Sequence, residues 1–170
     1  VSPAPTGGLH RQAGDGWVDC ACGRRHWGLH GAAGLLLFRD RGASGASDPA
    51  RFDVVLQHRA LWSDQGGTWG LPGGALAPGE DAVRGALREA TEEAGIDPGA
   101  LEVVTTRVLD HGPWAYTTVV ARATGPQDPR ATDPESLEIA WVGLDDVDRR
   151  PLLVAFGDAW PALRSIVETA

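Results

Sequence analysis

Between Gly74 and Ile96 the chain reads GALAPGEDAVRGALREATEEAGI, placing four glutamates and two arginines inside a segment closed at both ends by glycine. Pro78-Gly79 makes a turn, Glu80 and Asp81 put negative charge on a first helical turn, and Gly95 stops the helix just after Ala94. The pattern predicts about fourteen helical residues. Ala82, Val83, Ala86, Leu87 and Ala90 supply an apolar stripe, while Glu89, Glu92 and Glu93 stand at i, i+3 and i+4 on another face. Like-charged neighbours on a helix repel by a few tenths of a kcal/mol per pair, so the arrangement gains stability only with a cation among them. Oxygen-only ligation suits a hard divalent ion, Mg2+ or Mn2+. A merely solvated acidic face, the common fate of a charge run, leaves the glycines and the arginine without a role.

Glu80, Arg84 and Arg88 fall at i, i+4 intervals, and Arg88 also reaches Glu92, giving a ladder that would orient the carboxylates. Upstream, Leu71-Pro72-Gly73-Gly74 predicts a sharp turn with two residues free to take positive φ, turning backbone carbonyls toward the metal.

These residues resemble the Nudix box, G-x5-E-x7-R-E-U-x-E-E-x-G-U with U aliphatic, through Gly74, Glu80, Arg88, Glu89, Ala90, Glu92, Glu93, Gly95 and Ile96. Every fixed position is filled, with Ala90 a small residue in its aliphatic slot, and the preceding TWGLPGG is a common lead-in for the family. The resemblance implies an α/β/α sandwich around a central mixed sheet. It implies hydrolysis of a nucleoside diphosphate linked to another moiety, in a nucleoside triphosphate, ADP-ribose or sugar nucleotide, by water attack on phosphorus. It assigns metal and catalytic work to Glu89, Glu92 and Glu93, with the carbonyl of Gly73 or Gly74 as a further ligand, Arg88 holding Glu89 or its neighbour, and Glu80 orienting rather than ligating. Family members often add an acid from beyond the box, and ESLEIAW offers Glu135 and Glu138, of which Glu138 is the preferred candidate. A sensor or regulator that binds a nucleotide without turnover is the alternative, although such proteins tend to lose box residues and here every acid is present.

Composition sets the limits. At 170 residues and 42% hydrophobic content the chain suits one compact domain over 17–170, preceded by a flexible Gly-, Pro- and Ala-rich arm over 1–16. A formal net charge of -8 argues against a nucleic-acid polymer as partner, because that affinity needs a basic surface, and favours a small phosphorylated substrate bridged by metal. No apolar run approaches the roughly 18 residues of a membrane span and no secretory leader is visible, so a cytoplasmic monomer or homodimer is expected. The Arg, Ala and Gly bias points to a GC-rich bacterial source.

Outside the box, CACGRRHWGLH reads as a short hairpin or strand before the core, with His26 and Trp27 packing or lining the cleft. Zinc on Cys20, Cys22, His26 and His30 is the alternative, though one residue between the cysteines is closer than finger and ribbon patterns prefer. Strands are expected at Gly31–Asp40, Arg51–Ala60, Leu101–Leu109, Trp114–Ala123 and Leu137–Val142, with a flexible connection over 41–50. A helix over Pro151–Val167, broken or kinked at Pro161, closes the fold. Arg39, Arg59 and Arg107 are candidate phosphate grips. Asp110 and His111 form a candidate acid-base pair in a loop. Trp27, Trp62 and Trp114 are candidate base platforms, with Trp69 expected beneath the box and Trp141 in the core.

Overall fold

The computed structural model describes residues 12–42, 48 and 51–170. Most of the expected arm, and most of the 41–50 connection, lie outside the described residues. The chain order is β1 Trp17–Asp19, β2 Arg25–Trp27, β3 Ala32–Asp40, β4 Phe52–Arg59, β5 Trp69–Gly70, β6 Gly73–Ala75, α1 Ala82–Ala94, β7 Leu101–Asp110, β8 Ala115–Ala123, β9 Ser136–Gly143, α2 Leu144–Val147 and α3 Val154–Thr169. The five expected core strands are all present, each within two residues of its expected bounds.

Among the described residues the main sheet runs β5-β4-β3-β8-β7, with β6 also paired to β3 and β9 to β4. It is mixed, because β3 and β8 are parallel while the other pairs are antiparallel. β3 reads as a continuous apolar run because both of its faces are covered. Leu36 and Phe38 point into a core with Phe156, Trp160, Leu163 and Val167 of α3, while Ala33, Leu35 and Leu37 join Ala86, Ala90 and Ala94 of α1. The result is an α/β/α sandwich with α1 on one face and α3 on the other.

Helix α1 is capped as its sequence dictates. Asp81 accepts from the Arg84 N–H at 3.0 Å, and Gly95 ends the helix in the left-handed region at φ 65°. Glu80 precedes the helix rather than opening it, so it meets Arg88 across the turn and not along a helical ladder.

Three local expectations are corrected. Gly73 and Gly74 do not form a positive-φ turn; they belong to β6 and lie opposite Gly34 and Ala33 of β3. What they permit is close approach: a Cβ on Gly73 would lie 2.6 Å from the Gly34 Cα, and one on Gly74 would lie 2.7 Å from the Glu89 carboxyl carbon. Trp69 packs in the α3-side core, stacked on His58 at 4.5 Å, and so lies across the sheet from α1. Pro161 sits inside α3, which continues through it to Thr169.

Candidate active site

The box acids divide by environment. Arg88 grips Glu80 with two parallel bonds, Nε to Oε1 at 2.8 Å and a terminal nitrogen to Oε2 at 2.9 Å. The Ala77 N–H adds a bond to Glu80 at 2.9 Å. The Arg88 hydrogen bonds hold the Glu80 carboxyl below its ordinary pKa. The same guanidinium donates to Glu89 at 2.7 Å and to the Ala75 carbonyl at 3.2 Å, with Glu92 at 3.5 Å. Arg88 therefore ties the turn before α1, strand β6 and the acidic face of the helix into one unit.

Glu93 and Glu89 are shifted the other way. Both are buried, at 6% and 9% exposure, on the α1 face that meets the sheet. Burial pushes Glu93 well above the usual carboxylate range, the neighbouring Glu89 adds to the shift, and the Gly73 N–H at 3.0 Å opposes it. Gln57 donates to the same Glu93 oxygen at 3.4 Å. Glu89 is raised by burial and only partly restrained by Arg88. Glu92 is exposed at the rim, where Gln12 donates to it at 3.3 Å.

Two further acids close on this group from the segment before β9. Asp133 and Glu135 each bring a carboxylate oxygen within 4.8 Å of one on Glu93 and of one another. Burial raises both, and Asp133 raises Glu135 further while Arg59 opposes that shift. Buried carboxylates whose ionised forms repel one another are costly unless a cation compensates them. The donor set is oxygen alone, which fits Mg2+ or Mn2+ and no thiophilic metal.

Glu138, the strand acid expected to join the box, is directed elsewhere. It pairs with His58 across β4 and is exposed. Along β9 it shares parity with Ala140 and Val142, which meet the α3-side core, while Ile139 and Trp141 meet the α1 side. Glu135 precedes the strand and escapes that alternation. Asp133 was not among the sequence candidates; its signal is Asp-Pro-Glu, an Asx turn in which Asp133 accepts the Glu135 N–H at 3.0 Å.

A model described as the NUDIX domain matches residues 28–164. The chain belongs to the Nudix family. It is 55% identical over 159 residues to a nucleoside triphosphate pyrophosphatase/Nudix hydrolase fusion protein of Bifidobacterium longum, covering 92% of this chain but only 32% of that protein. To the putative 8-oxo-dGTP diphosphatase 3 of Mycobacterium tuberculosis it is 46% identical over 165 residues, 94% of this chain and 73% of the relative. The crystal structure of a Nudix hydrolase from M. smegmatis, RenU, superposes with a TM-score of 0.80 at 42% identity, covering 92% of this chain and 96% of that one. By class the domain is a Nudix-type pyrophosphohydrolase.

The remaining candidates of the Nudix domain separate by place. Arg59 follows Val55 and Gln57 on the box side of β4 and acts on both Glu135 and Tyr116. Trp62, 61% exposed, stands in the turn just beyond it. Arg39 lies at the opposite end of β3 from the Ala32–Gly34 segment that pairs with β6; it is bonded to Asp53 at 2.9 Å and covers Trp141 at 4.2 Å. Trp141 is half-buried against the α1-side core. Trp114 is 8% exposed, with one ring face stacked on His26 at 4.2 Å and its Nε1 bonded to the Trp27 carbonyl, so it offers no open platform. Trp27 is exposed but packs edge-on against Trp17 at 5.2 Å. His111 is 3.2 Å from His26, within a cluster separate from the carboxylates.

Because Glu135 closes on Glu93 from before β9 while Glu138 lies exposed on the strand opposite His58, their neutral variants should differ sharply. Glu135→Gln is expected to lower kcat about 10²-fold, and Glu138→Gln to stay within about twofold of wild type. Steady-state kinetics on the two variants, with circular dichroism to check folding, measures the contrast.

Proposed function

We propose that this Nudix domain hydrolyses a nucleoside triphosphate, of the oxidised-purine kind named for its mycobacterial relative, to a nucleoside monophosphate and pyrophosphate. The observation that carries the reading is the packing of Glu89, Glu93, Asp133 and Glu135 into one set of buried or half-buried acids with raised pKa values beside the Arg88 clamp. Glu89, Glu92 and Glu93, with the Gly73 carbonyl, would hold Mg2+ or Mn2+. When bound, such an ion offsets phosphate charge and lowers the pKa of a water.

The chain's own residues do the rest. Arg88 keeps Glu89 from swinging toward solvent, and Gly74 leaves room for the Glu89 carboxylate against β6. Glu135 accepts a proton from the attacking water, a role suited to a carboxylate whose pKa burial raises above its ordinary value. The water oxygen bonds to phosphorus, the bridging P–O bond breaks, and its electron pair leaves with pyrophosphate. Arg59 faces the phosphates beside Glu135, and Trp62 stacks the base, a contact worth about 1–3 kcal/mol per base in other systems.

A substrate panel in Mg2+, comparing 8-oxo-dGTP, dGTP, ADP-ribose, a sugar nucleotide and a dinucleoside tetraphosphate, tests the assignment. The highest kcat/KM is expected for 8-oxo-dGTP, with pyrophosphate as co-product. A preference for ADP-ribose or a sugar nucleotide would move the domain to that substrate class, and saturable binding without turnover of any compound would favour the sensor reading.

A further inference from the structure

Four soft-metal ligands unused by the phosphate chemistry converge where the β1–β2 hairpin meets the core. Cys20 and Cys22 sit in the turn between β1 and β2, His26 on β2, and His111 on the turn joining β7 to β8, 91 residues beyond Cys20. One metal-binding atom from each lies within 4.8 Å of those from the other three. Cys20 Sγ is 3.6 Å from His111 Nδ1, and His26 Nε2 is 3.2 Å from both Cys22 Sγ and His111 Nδ1. With Zn–S near 2.3 Å and Zn–N near 2.0–2.1 Å, the edges of a tetrahedral site come to about 3.3–3.8 Å. The three separations lie within a few tenths of an ångström of those edges.

The supporting backbone is shaped to hold them there. Gly23, at φ 84°, donates to the Cys20 carbonyl at 3.0 Å, and Cys20 in turn donates to the Arg24 carbonyl, closing the turn. The Cys22 N–H points at Cys20 Sγ at 3.5 Å, which sets the direction of that sulfur across the turn. His26 is fixed by stacking on Trp114, and the His111 backbone N–H bonds to the Trp114 carbonyl at 2.9 Å. A hairpin with three residues per strand is too short to be stable alone and needs an anchor.

We propose that Cys20, Cys22, His26 and His111 form a closed tetrahedral Zn2+ site that staples the β1–β2 hairpin to the β7–β8 turn. Two thiolates and two neutral imidazoles give a neutral site with Zn2+ once both thiol protons have passed to solvent. Four protein ligands leave no open position, so the role is structural. The set differs by one member from the zinc alternative that the sequence offered beside the hairpin reading: His111 takes the place of His30, which stands outside the cluster.

Metal analysis of protein purified under reducing conditions and reconstituted with Zn2+ is expected to give about one zinc per chain. Cys22→Ser and His111→Ala should lose it, while His30→Ala and the active-site variant Glu93→Gln should keep it. The Co2+ derivative should show tetrahedral visible bands with thiolate charge transfer. Should the ligand variants fail to fold, the wild type gives a second reading: Zn2+ should shield both thiols from alkylation, and a strong chelator should expose them. Zinc well below one per chain after reconstitution, zinc retained in Cys22→Ser, loss in Glu93→Gln but not in His111→Ala, or thiols alkylated equally with and without Zn2+ would each overturn the site.

Discussion

Glu93→Gln is expected to lower kcat by about 10³-fold or more, roughly 4 kcal/mol of barrier, and at the same time to stabilise the metal-free protein. The two effects share one cause. Glu93 is 6% exposed and faces Glu89, Asp133 and Glu135, so its ionised form is costly in the fold without a cation. Glutamine keeps the shape and can still accept the Gly73 N–H, but it carries no charge. The sign follows from the folded-state pKa lying above its unfolded value. Stability contributed by protonated Glu93 is fully present below the unfolded pKa and is lost as pH rises through the folded one. In chelator, wild-type Tm should therefore fall relative to the variant as pH rises from about 5 toward 8, by about 2–4 °C per kcal/mol for a domain of this size. Thermal melts across that range, with kinetics in Mg2+, measure both halves. A variant with wild-type turnover, or one less stable than wild type in chelator at pH 8, would contradict the assignment.

The second large effect concerns Arg88. Its fork makes two bonds to Glu80, one to Glu89 and one to the Ala75 carbonyl. Arg88→Ala strands two largely buried carboxylates and removes one of the ties between strand β6 and the helix, so a loss of about 2–4 kcal/mol is expected, discounted for the 26% exposure of the side chain. Arg88→Lys retains the charge and should recover part of that stability. A single ammonium cannot span Glu80, Glu89 and the carbonyl together, so Glu89 loses its fixed direction. Arg88→Lys is expected to fold with kcat lowered about 10- to 100-fold, the usual effect of removing a ligand-orienting partner. Denaturant melts and kcat on the same preparations separate the two contributions.

The box and its helix were legible because local rules agree there. Asp81 caps, Gly95 terminates, and the alanine stripe matches the helical period. The strands were legible from apolar runs between turn signals. What sequence could not supply was direction across the sheet. β9 is apolar on both faces, with Ile139 and Trp141 toward α1 and Ala140 and Val142 toward α3, so its alternation did not reveal where Glu138 points. Gly73 and Gly74 were legible as special positions, but the reason lay in β3 and Glu89 pressing against them and not in their own dihedrals. His111 joins the cysteines only through the register of β7 with β8, which no spacing between residues 26 and 111 reports. Trp114 offered an aromatic at a strand end, and only the hairpin packed over it shows why it is closed to a base.

The carboxylate site is tested most directly by the metal dependence of the proposed 8-oxo-dGTP hydrolysis, measured as pyrophosphate release in EDTA and then across a Mg2+ or Mn2+ titration, with Glu93→Gln alongside. Saturable recovery in the wild type, no activity in chelator and no recovery in the variant is the predicted result. Full turnover in chelator, or equal recovery in Glu93→Gln, would contradict it.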